Sequence, residues 1–227
     1  MTEILHARAA LLDMDGTLVD STAVVERLWL AWAEPHGIDP ETVLRTVHGR
    51  QGHQSMAILL PERDHAINLR ENEVMLATEA SDVDGVIGIP GAEELLAALQ
   101  PFPHAVVTSA NVALMTARMG QAGLTVPELA VTAENVSASK PDPEGFLLAA
   151  RTLGIDPADC VVFEDSGAGI QAAHAAGMRV IGIGPHAGAH APTVHVDDLT
   201  HVAVVPTDDG FELRIDGRAG AGTTPRP

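Results

Sequence analysis

Residues 11–21 read LLDMDGTLVDS. With Ala9 and Ala10 ahead of them, the two leucines close a short apolar run, Arg8 to Asp13, that turns acidic and then meets a glycine. A run this short, bounded by a turn signal, predicts a buried strand that opens into a loop at its C-terminal end. Asp13 and Asp15 would point to opposite faces if that strand continued. They can serve one site only if the backbone turns at once, a turn that Gly16 permits. The stretch therefore predicts a strand delivering two carboxylates to a crevice.

Downstream the pattern is helical. Ser21 has the chemistry of an N-cap, and Val24, Val25, Leu28, Trp29 and Trp32 recur at helical spacing until Pro35 and Gly37. Further helical patches at Pro40 to Val47, Gln54 to Leu60 and Asp64 to Ala80 carry no strand alternation. From Ile87 the chain alternates: helix 92–99, strand 104–108, helix 112–122, strand 129–132, helix 143–153, strand 160–163, helix 167–176 and strand 179–183. That order predicts an α/β core, a mostly parallel sheet with helices on both faces. Two more strands are expected at His201 to Val205 and Phe211 to Ile215, around a turn at Thr207 to Gly210. The expected organisation is a core of residues 1–19 and 85–216, an inserted helical cap of residues 20–84, and a disordered tail from 217 to 227.

Composition narrows the function. The 227 residues are 46% hydrophobic and 19% charged, the balance of a globular chain. A net charge of −18 repels a phosphate backbone or an anionic membrane, so neither nucleic acid nor membrane is an expected partner. No apolar run is long enough to span a bilayer, and MTEILHARAALL has neither a basic start nor a cleavage site. A cytoplasmic location is the expectation. The lone Cys160 beside an apolar run reads as a small core residue. The 13 cations comprise twelve arginines and one lysine, Lys140. A lysine places a point charge where a planar fork does not fit, which marks Lys140 as a functional candidate.

Ligands of open α/β sheets bind beyond the carboxyl ends of the strands. Collected there are Asp13 and Asp15, Thr108 and Ser109, Lys140 ahead of a helix, and Glu164 and Asp165. Mg²⁺ prefers oxygen ligands, so Asp13, Asp165 and a nearby backbone carbonyl suffice as the protein's share. Thr108, the Ser109 amide and Lys140 can hold phosphoryl oxygens, which supplies the positioning and charge compensation that phosphoryl transfer requires. Asp13 is then the nucleophile of an aspartyl-phosphate route, and Asp15 the acid and later the base.

Four stretches together resemble the haloacid dehalogenase (HAD) superfamily of aspartate-nucleophile phosphatases with a small helical cap. They are LLDMDGTLVDS, VVTSAN at 106–111, SKPDPEGF at 139–146 and VVFEDSGAGIQAA at 161–173. Four motifs in order, each at an expected strand end or helix start, are far more specific than any one. The resemblance implies a Rossmann-like parallel-sheet core with an inserted cap. It assigns Asp13 as nucleophile, Asp15 as acid/base, and Thr108, Ser109 and Lys140 as phosphate ligands. Asp13, Asp15, Glu164 and Asp165 become the Mg²⁺ positions. Leu12 departs from the pattern, standing where a Phe is common. TLVDSTAVVERLW at 17–29, TVHGR at 46–50 and SDVDGVIGIPGA at 81–92 are most similar to the branch of glycerol-3-phosphate and 2-deoxyglucose-6-phosphate phosphatases. The implied substrate is a small sugar or polyol phosphate, with the protein a monomer or weak dimer. Specificity is expected in the cap, from Glu26, His48, Arg50 and Gln51. For His48 and Arg50 a solvated cap face is an equal alternative.

The same intermediate serves a sugar phosphomutase, the second enzymatic reading. A cap without lysine favours hydrolysis and disfavours a phosphonate-cleaving Schiff base. Dehalogenation has no need of Asp15, and a binding module on a dead enzyme would require a lost catalytic group. Trp29 and Trp32 read as a core stripe. Glu164 and Asp165 can also serve as the acidic start of a helix. His186, His190 and His195 read as a solvated loop and not as a zinc site.

Overall fold

The computed structural model describes residues 2–48 and 51–216, so Arg50 and the tail from 217 lie outside the described residues. Six strands form the central sheet: β2 (Ala9–Leu12), β5 (His104–Val107), β6 (Leu129–Val131), β7 (Cys160–Glu164), β8 (Arg179–Ile183) and β9 (Val194–Val196). They are all parallel, in the order β6-β5-β2-β7-β8-β9. The chain builds outward from β2 on one side and returns to build outward on the other. The end of β2 is thus the switch point, where such sheets open a crevice.

The apolar run explains the placement of β2. Ala9 and Leu11 pack on one face with Val107, Val162 and Val180, against α7 (Glu144–Leu153) and α8 (Gly167–Ala175). Ala10 and Leu12 pack on the other with Val106, Phe163 and Ile181, against α5 (Ala92–Leu99) and α6 (Val112–Gln121). A strand buried on both faces reads as a continuous apolar run and not as an alternation. Leu12 is fully buried beside Phe163. Each such leucine contributes about 2 to 3 kcal/mol by burial.

Four helices, α1 (Thr22–Ala33), α2 (Pro40–Thr46), α3 (Gly52–Leu59) and α4 (His65–Ser81), lie between β3 (Val19–Asp20) and β4 (Ile87–Gly88). These two short strands pair antiparallel, Val19 with Gly88 and Asp20 with Ile87. The helices have their own core of Trp29, Ala33, Val43, Val47, Met56 and Met75. Trp32 sits at its edge and donates from Nε1 to Glu71 Oε2 at 2.8 Å. None of the described helices is long and apolar enough to cross a membrane.

β1 and β9 differ from expectation. β1 (Glu3–Ala7) does not join the central sheet; it pairs with β11 (Gly210–Ile215), which also pairs with β10 (Val202–Thr207) in a separate antiparallel sheet. Only Leu5 and Ala7 of β1 are buried, too short an alternation to stand out. β9 falls inside the stretch read as a loop, at the sheet's edge, so His195 is a strand residue whose Nε2 lies 2.6 Å from the Gly184 carbonyl. His186 and His190, on the short turn of α9 (Gly184–Ala187) and just after it, are exposed.

Candidate active site

The loop after β2 closes immediately. Asp13 keeps a sheet-like bond from its N–H to the Phe163 carbonyl at 3.0 Å, and the Met14 carbonyl then accepts from Leu18 and Val19 at 2.8 and 2.9 Å. Gly16 takes φ of 80°. A Cβ there would overlap the Asp165 carboxylate, so only glycine lets the loop and the end of β7 approach this closely.

Lys140 occupies the centre of this approach. Its ammonium donates to Asp13 Oδ1, to Glu164 Oε1 at 2.7 Å and to the Val107 carbonyl at 3.1 Å. All three charged groups are buried. Burial works to lower the Lys140 pKa, but Asp13 and Glu164 outweigh it and hold it above the ordinary lysine range. Burial, opposed by Lys140 and reinforced by Glu164, pushes Asp13 up from 3.8 to about 8. Burial, with Glu164 and Asp13 adding, also pushes Asp165 well above the usual carboxylate range.

Glu164 is braced from its other oxygen, which accepts from the Ser166 N–H and hydroxyl at 2.8 and 2.9 Å. Ser166 Oγ accepts in turn from the Gly169 N–H at 3.1 Å. The N-cap of α8 is therefore Ser166, and the acidic pair ahead of it faces the site.

Asp13, Glu164 and Asp165 each offer an oxygen within 4.8 Å of the others. Three carboxylates share one ammonium, and burial disfavours the ionised forms of two of them. A hard cation relieves that imbalance, so the donor set fits Mg²⁺. The Asp15 carboxylate is outside this group. Its Oδ1 accepts instead from Ser21 Oγ at 2.6 Å and lies 2.8 Å from Arg118 Nη1 in an ion pair. Any share of Asp15 in a cation site would come from its main chain. Ser21 stands at the N-cap position of α1 but makes no capping bond, because its hydroxyl is committed to Asp15.

Arg118, on α6, was not singled out in the sequence. It is 3% exposed, and its Nη2 reaches Glu79 Oε2 of α4 at 2.9 Å. The signal was present: Arg118 falls on the apolar stripe of Leu114, Met115 and Met119, where a cation needs partners. Burial, opposed by Arg118 and reinforced by Asp15, pushes Glu79 from 4.5 up to about 7.

Thr108, buried at the end of β5, donates its N–H to the Val131 carbonyl at 2.9 Å, and its hydroxyl accepts from Ala110 at 3.0 Å. Ser109 Oγ is buried without a partner among the described residues. Both line a cleft of about 110 Å³ between the sheet end and the inserted helices, with Asp13, Asp15 and Arg118. The facing helices contribute Trp29, Asn72 and Glu79, together with His48 just beyond α2. Of the cap candidates, His48 therefore reaches the cleft and Glu26 does not line it. Partial desolvation at the cleft, opposed by Glu26 and reinforced by His186, holds the exposed His48 below the ordinary histidine range. Gln51 lines a smaller cavity beside Lys140 and Ser109. Asn72 is an addition; on an isolated helix nothing separates it from other polar residues.

Fold and site define a capped α/β enzyme with its carboxylates at the switch point. The family model of the haloacid dehalogenase-like hydrolases matches residues 7–177, and the chain belongs to that family. It is 40% identical to hexitol phosphatase A of Escherichia coli (strain K12), over 86% of this chain and 90% of that one. It is 30% identical to 2-deoxyglucose-6-phosphate phosphatase 2 of Saccharomyces cerevisiae, over 90% and 94% of the two chains. The structure of β-phosphoglucomutase from Clostridium difficile has the same fold, with a TM-score of 0.74 at 23% identity over 85% of this chain and 92% of that one.

Proposed function

We propose that the protein is a Mg²⁺-dependent phosphatase that hydrolyses a small sugar or polyol phosphate monoester through an aspartyl-phosphate on Asp13. The observation that carries this reading is the buried Asp13, paired with Lys140 at the switch point and lining a small cleft together with Asp15. The names of the relatives, phosphatases of a hexitol phosphate and of a deoxysugar phosphate, support the substrate class.

In this mechanism Asp13 attacks phosphorus while the Thr108 hydroxyl, the Ser109 group and Lys140 hold the remaining phosphoryl oxygens. Asp15 gives its proton to the leaving oxygen and afterwards takes one from the attacking water. Asp13, Glu164 and Asp165 would hold Mg²⁺, which when bound supplies charge compensation for the incoming phosphate. The cap residues read the remainder of the substrate, with His48 and Asn72 placed to meet hydroxyls. The partner is a small phosphorylated metabolite, met by a monomer or weak dimer in the cytoplasm; the net charge of −18 argues against nucleic acid and anionic membranes.

The test is phosphorus-31 NMR of the protein with Mg²⁺ and a panel of glycerol, hexitol, deoxysugar and β-glucose 1-phosphates, with Asp13→Asn as control. Inorganic phosphate released by wild type alone is the expected result. A sugar phosphate converting to its positional isomer without free phosphate would make the protein a mutase and overturn the reading.

A further inference from the structure

Arg118 joins carboxylates from two parts of the molecule. Asp15 belongs to the loop after β2, and Glu79 to α4 of the inserted helices, 2.8 and 2.9 Å from the two terminal nitrogens of the guanidinium. Ser21 Oγ, just ahead of α1, reaches the same Asp15 oxygen, Oδ1, at 2.6 Å. The Ser21 hydrogen bond and the Arg118 ion pair both fall on Oδ1, and together they fix the rotation of the carboxylate.

The network does not look like a device for stability. Arg118 Nε is buried without a partner among the described residues. Buried ion triads of this kind are often replaced by apolar side chains of similar volume without loss of stability.

We propose that Arg118 is a positioning residue that fixes the orientation of the Asp15 carboxylate toward the leaving group, and that Glu79 makes this hold depend on the position of α4. The proposal rests on the phosphatase reading above. In the first step Asp13 bonds to phosphorus and the phosphorus to leaving-oxygen bond breaks with its electron pair on that oxygen. A proton from Asp15 neutralises it. An alkoxide needs that proton, whereas p-nitrophenolate departs without it. A fault in the aim of Asp15 must therefore hurt alkyl phosphates more than an activated aryl phosphate, while a general loosening of the site hurts both alike.

The measurement is kcat/KM, which reports steps through the first phosphoryl transfer, for p-nitrophenyl phosphate and for hexitol 6-phosphate and 2-deoxyglucose 6-phosphate. The variants are Glu79→Leu, Arg118→Lys and the double variant Arg118→Met with Glu79→Leu. The double variant removes the buried charges together and so keeps the test open if Glu79→Leu alone fails to fold. The expected result is an alkyl-to-aryl ratio of kcat/KM that falls at least tenfold in Glu79→Leu and in the double variant, with partial recovery in Arg118→Lys. A ratio within twofold of wild type in the double variant overturns the proposal. Wild type that releases phosphate from none of the three compounds instead removes the phosphatase reading beneath it.

Discussion

Replacing Glu79 by glutamine should make the stability of the protein less dependent on pH. Burial, opposed by Arg118, pushes Glu79 from 4.5 up to about 7. The folded state therefore binds this proton more tightly than the unfolded state does. The resulting stabilisation is complete below about pH 4.5 and is lost as pH rises through about 7. At about 1.4 kcal/mol per pKa unit the whole effect is on the order of 3 kcal/mol. The Glu79 side chain is 8% exposed, so little of this is screened by solvent. The sequence pI of about 4.8 favours working above it. Between about pH 5.5 and 8.5 the linkage relation leaves roughly 2 kcal/mol of the change to be seen. The glutamine side chain keeps an acceptor for Arg118 and does not titrate. Urea unfolding of both proteins across this range, in EDTA so that divalent cations contribute to neither, gives the difference directly. Other groups titrate in both proteins and cancel. Wild-type stability should fall by about 2 kcal/mol relative to Glu79→Gln over this range. Parallel curves would refute the burial argument for Glu79, and with it the placement of α4 against Arg118.

Lys140→Met leaves Asp13 and Glu164 buried together without their ammonium, a loss of about 3 to 5 kcal/mol for breaking a buried pair, and should abolish phosphate release. Lys140→Arg should be equally inactive, because a planar fork does not fit where one nitrogen meets three oxygens; urea midpoints and phosphate release check both. Gly16→Ala places a Cβ against the Asp165 carboxylate at φ of 80°, and turnover should drop at least 100-fold with about 1 to 3 kcal/mol of stability. An alanine variant with normal kcat would show that the loop and the end of β7 are further apart than the structure places them.

What the sequence made legible and what it did not divide on physical grounds. Asp13, Thr108, Lys140, Glu164 and Asp165 each stand beside a local signal, an apolar strand ending or a helix beginning. The fold rule that strand ends face one crevice then brings them together without any knowledge of distance. The central strands were readable because burial on both faces makes them unbroken apolar runs. β1 was not, because its partner β11 lies some 200 residues on and a five-residue strand with two buried side chains carries little pattern. Ser21 was read for its commonest use, capping, and only the turn at Gly16 brings its hydroxyl to Asp15 instead. Arg118 and Glu79 are 39 residues apart on separate helices. Arg118 falls on the apolar stripe of its own helix, but which helix faces which is decided by packing of the inserted helices on the core. Which residues of the inserted helices line the cleft was least legible for the same reason, since His48 and Asn72 reach it while Glu26 does not.

The contacts between the inserted helices and the core fall in a pattern that bears on how the enzyme works. Gln54 of α3 accepts from Ser139 Oγ at 2.6 Å, and Ser139 directly precedes Lys140. Glu79 of α4 meets Arg118, which in turn holds Asp15. Each bond from a different inserted helix thus ends one link away from a charged group of the site. Neither is a large source of stability, since a hydrogen bond of the first kind contributes about 1 kcal/mol and a buried ion network is close to neutral overall. Their effect is geometric: moving the helices off the cleft would release the loop that carries Lys140 and the guanidinium that fixes Asp15. On the roles proposed for Lys140 and Asp15, the phosphate-holding and proton-carrying groups are both fastened from the inserted helices, so the site is fully assembled only while those helices contact the core as they do here.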